Sequence, residues 1–283
     1  MFPSSAKPQS GRPLLSTFSL WNVSLLLSSC LLIFCRPASA QAILTVAAAA
    51  DLADLQKPLA HGQPIRFVIA SSAVLRQQIE NGAPYDVFLS ANAAYVDQLA
   101  SSGKLEPGSV RVYAVGQVGL LWRDRKHHPV SDLTANWVRI VALPNPRLAP
   151  YGVAAQQALE HAGLWTKVHP KVVYGENVRE TLELLTSGNA DAVLTSASLL
   201  VGKNPDLIPA DWHAPIVQKG GIVASTHYLD AARRFMDFLT SPAGQAVFAR
   251  FGFESQTAIK LSDAPYRKRL ASPSGKLGYI SAW

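Results

Sequence analysis

Three short segments carry the chemistry that this sequence most clearly offers. They are residues 47–52 (AAAADL), 70–78 (ASSAVLRQQ) and 175–179 (GENVR), and each lies where an apolar, strand-like run gives way to a helical pattern. The first turn of a helix leaves backbone N–H groups without intrahelical acceptors, at the positive end of the helix dipole. Because only folding can bring the three junctions together, the sequence predicts a pocket that holds a small anion with main-chain donors.

The order of apolar and amphipathic runs indicates an α/β protein. Short β-rich runs alternate with helical segments through both halves of the chain, which is typical of mostly parallel sheets flanked by helices. We predict a two-lobed clamp with a ligand cleft between the lobes, at the carboxyl ends of the strands. Lobe 1 comprises residues 41–117 and 223–254, lobe 2 comprises 118–222, and the tail 255–283 receives no role.

The first forty residues have the pattern of a secretory signal peptide. Basic Lys7 and Arg12 precede a mostly apolar stretch, and small residues end at Ala40, so that Gln41 is the expected mature start. A retained membrane anchor is one alternative, although polar residues dilute the stretch. Lipidation at Cys30 is another, although the apolar run continues past it. We predict a periplasmic protein.

Cysteine content and charge exclude several classes of site. Both cysteines, Cys30 and Cys35, lie within the predicted signal peptide, so disulfides, zinc–thiolate sites and cysteine nucleophiles are excluded from the mature chain. Without residues 1–40, 23 Lys and Arg face 19 Asp and Glu. This mild positive excess favours anion capture and does not indicate a nucleic-acid partner.

At its junction segments the chain resembles the molybdate-binding proteins of ABC importers, a branch of the periplasmic binding-protein superfamily. The resemblance runs from about residue 43 to 253, and its most specific part is residues 80–91 (ENGAPYDVFLSA). It implies a binding protein that captures molybdate or tungstate and delivers it to an inner-membrane ABC permease. It also implies no cofactor and no direct cation ligands. Further matching segments are residues 143–165, 175–192 and 241–253.

In that family a tetrahedral oxyanion is held by hydrogen bonds from neutral donors. The resemblance places these donors at the side chain of Ser72 and at the backbone N–H groups of Tyr151 and Val178. Two positions depart from the family pattern. Asp51 lies where serine is common, and Thr195 lies where the best-known members have a tyrosine hydroxyl. The side chain of Tyr151 is also a candidate lid.

Asp51 has two interpretations, because a carboxylate beside a dianion is repulsive. In the first, its side chain is the N-cap of a helix that begins at Leu52, and only its backbone N–H faces the ligand. In the second, it accepts a proton carried by an acid oxyanion such as hydrogen phosphate. We expect the first.

Two other functions compete with molybdate capture. Asp51 leaves open a receptor for phosphate, sulfate or a small carboxylate. An enzyme is the remote alternative, because the mature chain has no GxSxG elbow and no HExxH helix. The adjacent His127 and His128 lie in a polar loop that favours solvation over metal ligation. We predict a monomer without catalytic residues.

Overall fold

The computed structural model describes residues 43–255, in which the strands form two five-stranded sheets. Across the first sheet the order is β2 (Ile65–Ala70), β1 (Leu44–Ala49), β3 (Val87–Ser90), β10 (Ile216–Ile222) and β4 (Arg111–Gly116). Across the second sheet the order is β7 (Val172–Gly175), β6 (Val141–Pro144), β8 (Ala192–Ser196), β5 (Val118–Trp122) and β9 (Asp206–Leu207).

The two sheets share one topology. In each, four strands run in the same direction, and the fourth strand in the order, β10 or β5, is antiparallel to both of its neighbours. The predicted α/β class with mostly parallel sheets is therefore confirmed. Each antiparallel strand follows the point where the chain has crossed from the other sheet.

Helices connect the parallel strands and cover the sheets. Side chains of Ser71, Asn92, Asn177 and Ser241 accept first-turn N–H groups and so fix where four of the helices begin. The α-helices are α1 (Gln56–Ala60), α2 (Ser72–Glu80), α3 (Ala93–Ser101), α4 (Pro150–His161), α5 (Trp165–Val168), α6 (Val178–Thr186), α7 (Leu229–Thr240) and α8 (Pro242–Arg250). The 3₁₀ helices are Ala50–Leu55, Val130–Thr134, His169–Lys171, Ala197–Leu200 and Ala210–Trp212. Among the described residues, none of the helices has the length and apolarity needed to cross a bilayer.

The chain crosses between the sheets twice. Only Gln117 separates β4 from β5, so these two consecutive strands belong to different sheets. The return strand is β10, which begins at Ile216 and lies wholly in the first sheet. The return crossing therefore precedes Ile216. The prediction that lobe 2 extends to residue 222 is wrong at this end, because residues 216–222 form a strand of the first sheet. The division into lobes otherwise remains a prediction.

Apolar packing joins the two sheets as well as each sheet to its helices. One buried cluster combines Ala49, Ala50 and Ala91, which follow strands of the first sheet or end them, with Tyr151 and Val178 at the starts of α4 and α6. The small alanine side chains let these helix starts approach the end of β1. The carboxyl ends of strands from both sheets therefore meet at one place.

The close approach of α4 to β6 depends on Gly152. A Cβ atom there would lie 2.1 Å from the carbonyl oxygen of Pro144, at the end of β6. We expect Gly152→Ala to reduce the free energy of unfolding by about 1–3 kcal/mol, because the helix start must move away from the strand. Urea unfolding measures the change. Val153→Ala is the control, because Val153 is 41% exposed on the same helix and its loss should cost within about 0.5 kcal/mol. Equal stabilities of the two variants would contradict this packing.

Candidate functional site

Asp51 lies where elements of the two sheets meet, and its side chain is 1% exposed. It follows β1 on the 3₁₀ helix Ala50–Leu55. Its Oδ2 atom accepts a hydrogen bond from the hydroxyl of Tyr151 at 2.9 Å, and another from the amide Nε2 of Gln218 at 2.7 Å. Tyr151 is on α4 beside the second sheet and Gln218 is on β10 of the first. The carboxylate thus connects both halves of the molecule.

The predicted capping role of Asp51 is wrong. The helix that begins after β1 is a 3₁₀ helix whose N-cap is Ala49, without a side-chain cap. The Asp51 side chain instead turns toward Tyr151 and Gln218. The physical reason is that the chain is already helical at Ala50, so Asp51 lies inside the first turn. A residue inside the turn cannot adopt the extended backbone of a cap.

A buried polar network surrounds Asp51. The hydroxyl of Tyr113 donates to Oε1 of Gln218 at 3.1 Å, and this bond orients the amide so that Nε2 faces the carboxylate. The hydroxyl of Ser198 donates to the backbone carbonyl of Asp51 at 2.6 Å. Ser198 lies on the 3₁₀ helix after β8. The network therefore fixes both the side chain and the backbone of Asp51.

Burial dominates the electrostatics of this network. It raises the pKa of Asp51 to about 6, although the side chains of Tyr151 and Gln218, and then the backbone N–H groups of Asp51 and Leu52, act in the opposite direction. Burial, followed by the nearby Asp51 charge, also raises the pKa of Tyr113 and of Tyr151 well above the usual value. Both tyrosines therefore stay neutral near pH 7, and Asp51 titrates just below it.

Ser72 is buried and holds the loop after β3 in place. Its Oγ accepts the backbone N–H of Ala91 at 3.0 Å. It is the first residue of α2, but the N-cap of that helix is Ser71, whose Oγ accepts from the N–H of Val74. Ser71 therefore caps α2, whereas Ser72 fixes the backbone that follows β3.

Thr195 and Val178 contact each other directly. The hydroxyl of Thr195, at the end of β8, donates to the backbone carbonyl of Val178 at 2.8 Å. Val178 begins α6, where the side chain of Asn177 accepts the N–H groups of Arg179 and Glu180. The side chain of Thr195 therefore positions the start of α6, and its proton is engaged in that bond.

The structure brings the five predicted residues to one region, four of them as two hydrogen-bonded pairs. Asp51 bonds to Tyr151, Thr195 bonds to Val178, and Ser72 bonds to Ala91, which packs in the same cluster as Tyr151 and Val178. All five are at most 3% exposed. The Tyr151 side chain is buried against Asp51, and its role as a lid stays a prediction.

Sequence reasoning missed Gln218, Tyr113 and Ser198. Gln218 carried a usable signal, because it alternates with Val217 and so shares a strand face with buried Ile216. A polar side chain on the buried face of a strand requires a hydrogen-bond partner. Ser198 lies after β8 and outside a strand, and tyrosine is common in strands such as that of Tyr113, so neither residue carried this signal.

The charges of the site are unusual because no cation balances the carboxylate. Within residues 43–255, the Lys and Arg ion pairs all involve carboxylates other than Asp51. The same residues contain no group of three or more His, Cys, Asp or Glu that could hold a metal ion. His127 and His128 instead hydrogen-bond to Asp206 and Asp124. The site consists of neutral donors around one carboxyl group.

Comparison with known proteins identifies the family. The family described as bacterial extracellular solute-binding protein matches residues 41–254, which is most of the chain. The chain belongs to this family. It is therefore a solute-binding protein that functions in transport, and not an enzyme.

This solute-binding protein is similar to two molybdate-binding proteins and to a substrate-binding lipoprotein. It is 29% identical to the molybdate-binding protein ModA of Rhodobacter capsulatus over 201 residues, which are 69% of this chain and 79% of that protein. It is 32% identical to the putative ABC transporter substrate-binding lipoprotein YvgL of Bacillus subtilis, over 66% of this chain and 74% of that protein. The periplasmic molybdate-binding protein of Azotobacter vinelandii superposes with a TM-score of 0.68 at 29% identity, covering 74% of this chain and 98% of that one.

The raised pKa of Asp51 predicts a pH-dependent stability. Between pH 4 and 6 the folded protein keeps a proton that the unfolded chain releases near pH 3.9, so the free energy of unfolding falls as pH rises. We expect Asp51→Asn to lack this contribution. Relative to the variant, the wild type should lose about 2–3 kcal/mol between pH 4 and 7.5.

Urea unfolding at several pH values measures this difference. Asp54→Asn is the matched control, because Asp54 is exposed on the same 3₁₀ helix. Its stability should follow that of the wild type at each pH. Parallel curves for the wild type and Asp51→Asn would show that the carboxyl group titrates normally.

Proposed function

We propose that this solute-binding protein captures molybdate, with tungstate as an equivalent ligand, outside the cytoplasm and delivers it to an ABC permease. The observation that supports this most is that Asp51, Ser72, Tyr151, Val178 and Thr195 lie together where the two sheets meet. The two molybdate-binding relatives match 69% and 74% of this chain. Molybdate and tungstate differ little in size, so one site holds either.

The donors of the proposed site are uncharged, so the oxyanion is bound by hydrogen bonds and not by a counter-cation. Ser72 Oγ accepts from Ala91, and the hydroxyl keeps its own proton for a ligand oxygen. Tyr151 and Val178 each lie in the first turn of a helix, where backbone N–H groups have no intrahelical acceptor. We assign to Thr195 the positioning of α6, since its hydroxyl donates its hydrogen bond to the Val178 carbonyl. Closure of the two halves around the ion completes the site.

The route of the protein to its compartment is part of the proposal. Cleavage before Gln41 gives a periplasmic protein, which we propose as a monomer without a nucleic-acid partner. The signal segment lies outside the described residues. A lipoprotein is the alternative, and one relative bears that name. Mass spectrometry of the exported protein decides, because a chain beginning at or within two residues of Gln41 supports cleavage and a lipidated Cys30 overturns it.

A receptor for another oxyanion is the second candidate function. The buried carboxyl group of Asp51 favours it, because hydrogen phosphate carries a proton that a carboxylate can accept. Calorimetric titration with molybdate, tungstate, sulfate and phosphate in turn separates the two candidates. We expect heat from molybdate and tungstate. Heat from phosphate alone would assign the protein to the second function.

Ser72 offers a direct test of the site. Ser72→Ala removes one hydroxyl donor to a charged acceptor, and we expect molybdate affinity to fall roughly ten- to a hundredfold, corresponding to about 1.5–3 kcal/mol. It also leaves the buried N–H of Ala91 unpaired, at a cost of about 1–3 kcal/mol in stability. Calorimetry measures the affinity and urea unfolding the stability.

Ser71→Ala is the matched control for Ser72→Ala. It removes the cap of the same helix, worth about 1 kcal/mol of stability, and leaves the Ser72 hydroxyl in place. We expect its molybdate affinity to equal that of the wild type. Unchanged affinity in Ser72→Ala would remove Ser72 from the site.

A further inference from the structure

The two oxygens of the Asp51 carboxyl group have different surroundings. Oδ2 accepts hydrogen bonds from both Tyr151 and Gln218. Oδ1 is buried, and among the described residues it has no hydrogen-bond partner. A buried carboxylate oxygen without a donor carries a desolvation cost that is not repaid. One oxygen of this group therefore lacks the hydrogen bond that a buried carboxylate oxygen requires.

The direction of the network decides where a proton on Asp51 must reside. Tyr113 donates to Oε1 of Gln218, so the amide can only present its N–H groups to Asp51. Oδ2 already accepts two donors, and a proton placed there would compete with both. A protonated Asp51 therefore carries its proton on Oδ1, where it becomes a donor that requires an acceptor.

The groups that face Asp51 do not supply a compensating charge. Tyr151 on α4, Tyr113 on β4, Gln218 on β10 and Ser198 on the 3₁₀ helix after β8 are neutral donors, and burial raises the pKa of both tyrosines. Charged side chains on these elements and on those packed against the Ala50–Leu55 helix reach solvent. They are Asp54, Lys57, Arg66, Arg111, Glu160, Arg179, Glu180, Glu183 and Lys219, the last of which pairs with Asp97.

We infer that Asp51 binds the oxyanion as a neutral carboxylic acid that donates its Oδ1 proton to a ligand oxygen, so that capture of each dianion takes up about one proton from solvent. This inference rests on the proposed function. A neutral carboxylic O–H group donates a hydrogen bond to an oxyanion as a serine hydroxyl does. It also removes the repulsion between an ionised Asp51 and a dianion at close range.

The raised pKa of Asp51, about 6, supports the inference because protonation there is accessible near neutral pH. Above that pH, each further unit reduces the protonated fraction of the free protein about tenfold. Affinity for a dianion that needs this proton therefore falls with rising pH. Between pH 6.5 and 8.5 we expect a decrease of about fifty- to a hundredfold.

Calorimetric titration of the mature protein with molybdate tests the inference. Measurements at pH 6.5, 7.5 and 8.5, in pairs of buffers with different ionisation enthalpies, give the affinity and the number of protons taken up. We expect uptake close to one proton per molybdate at pH 8.5 and less at pH 6.5. Molybdate is fully deprotonated across this range, so the proton is taken up by the protein.

Three variants localise the proton. Asp51→Ser supplies a hydroxyl donor that does not titrate, so it should bind molybdate without proton uptake and with constant affinity from pH 6.5 to 8.5. Asp51→Asn supplies an N–H donor and should behave in the same way, which keeps the test valid should one variant fail to fold. Asp54→Ser, on the same 3₁₀ helix, should keep the wild-type uptake and pH dependence.

The possible outcomes separate the inference from the proposed function. Molybdate binding to the wild type with constant affinity and no proton uptake would overturn the inference and leave the proposed function intact. The same pH dependence in Asp51→Ser and the wild type would also overturn it, since another group would then be titrating. Heat from phosphate alone, or from none of the four oxyanions, would overturn the proposed function itself.

Discussion

Burial of the Asp51 carboxyl group between the two sheets is the constraint on which the rest of the structure depends. A carboxyl group that is 1% exposed, with no ion pair among residues 43–255, requires donors, and this protein supplies them from both halves of the molecule. Tyr151 comes from the start of α4, Gln218 from the return strand of the first sheet, and Ser198 fixes the backbone of Asp51 itself. The residues that form the site therefore also join the two sheets.

The fold is organised to bring these donors together. Both sheets end their parallel strands at the junction, so helix starts and 3₁₀ turns from each half converge there. Small residues make the approach possible, since Ala49 and Ala50 pack against the helix starts and Gly152 lies against Pro144. Neutral donors around one titratable group give the site a response to pH that a ring of hydroxyl groups alone would lack.

The sequence predicted the elements better than their contacts. Alternating strand and helix patterns predicted the α/β class with mostly parallel sheets, because periodicity is a local property of the sequence. It failed for Asp51, whose role depends on Tyr151 and Gln218, which are 100 and 167 residues away. It also placed the return crossing too late, because pairing of β10 with the first sheet is a long-range property that periodicity does not contain.

The measurement that tests this account most directly is a crystal structure of the mature protein with molybdate, grown near pH 6.5. The account predicts an oxyanion between the two sheets, with one oxygen within about 3 Å of Asp51 Oδ1 and others within hydrogen-bond distance of Ser72 Oγ and the N–H groups of Tyr151 and Val178. An anion bound elsewhere, or one bound there while Asp51 has turned away from Tyr151 and Gln218, would contradict it.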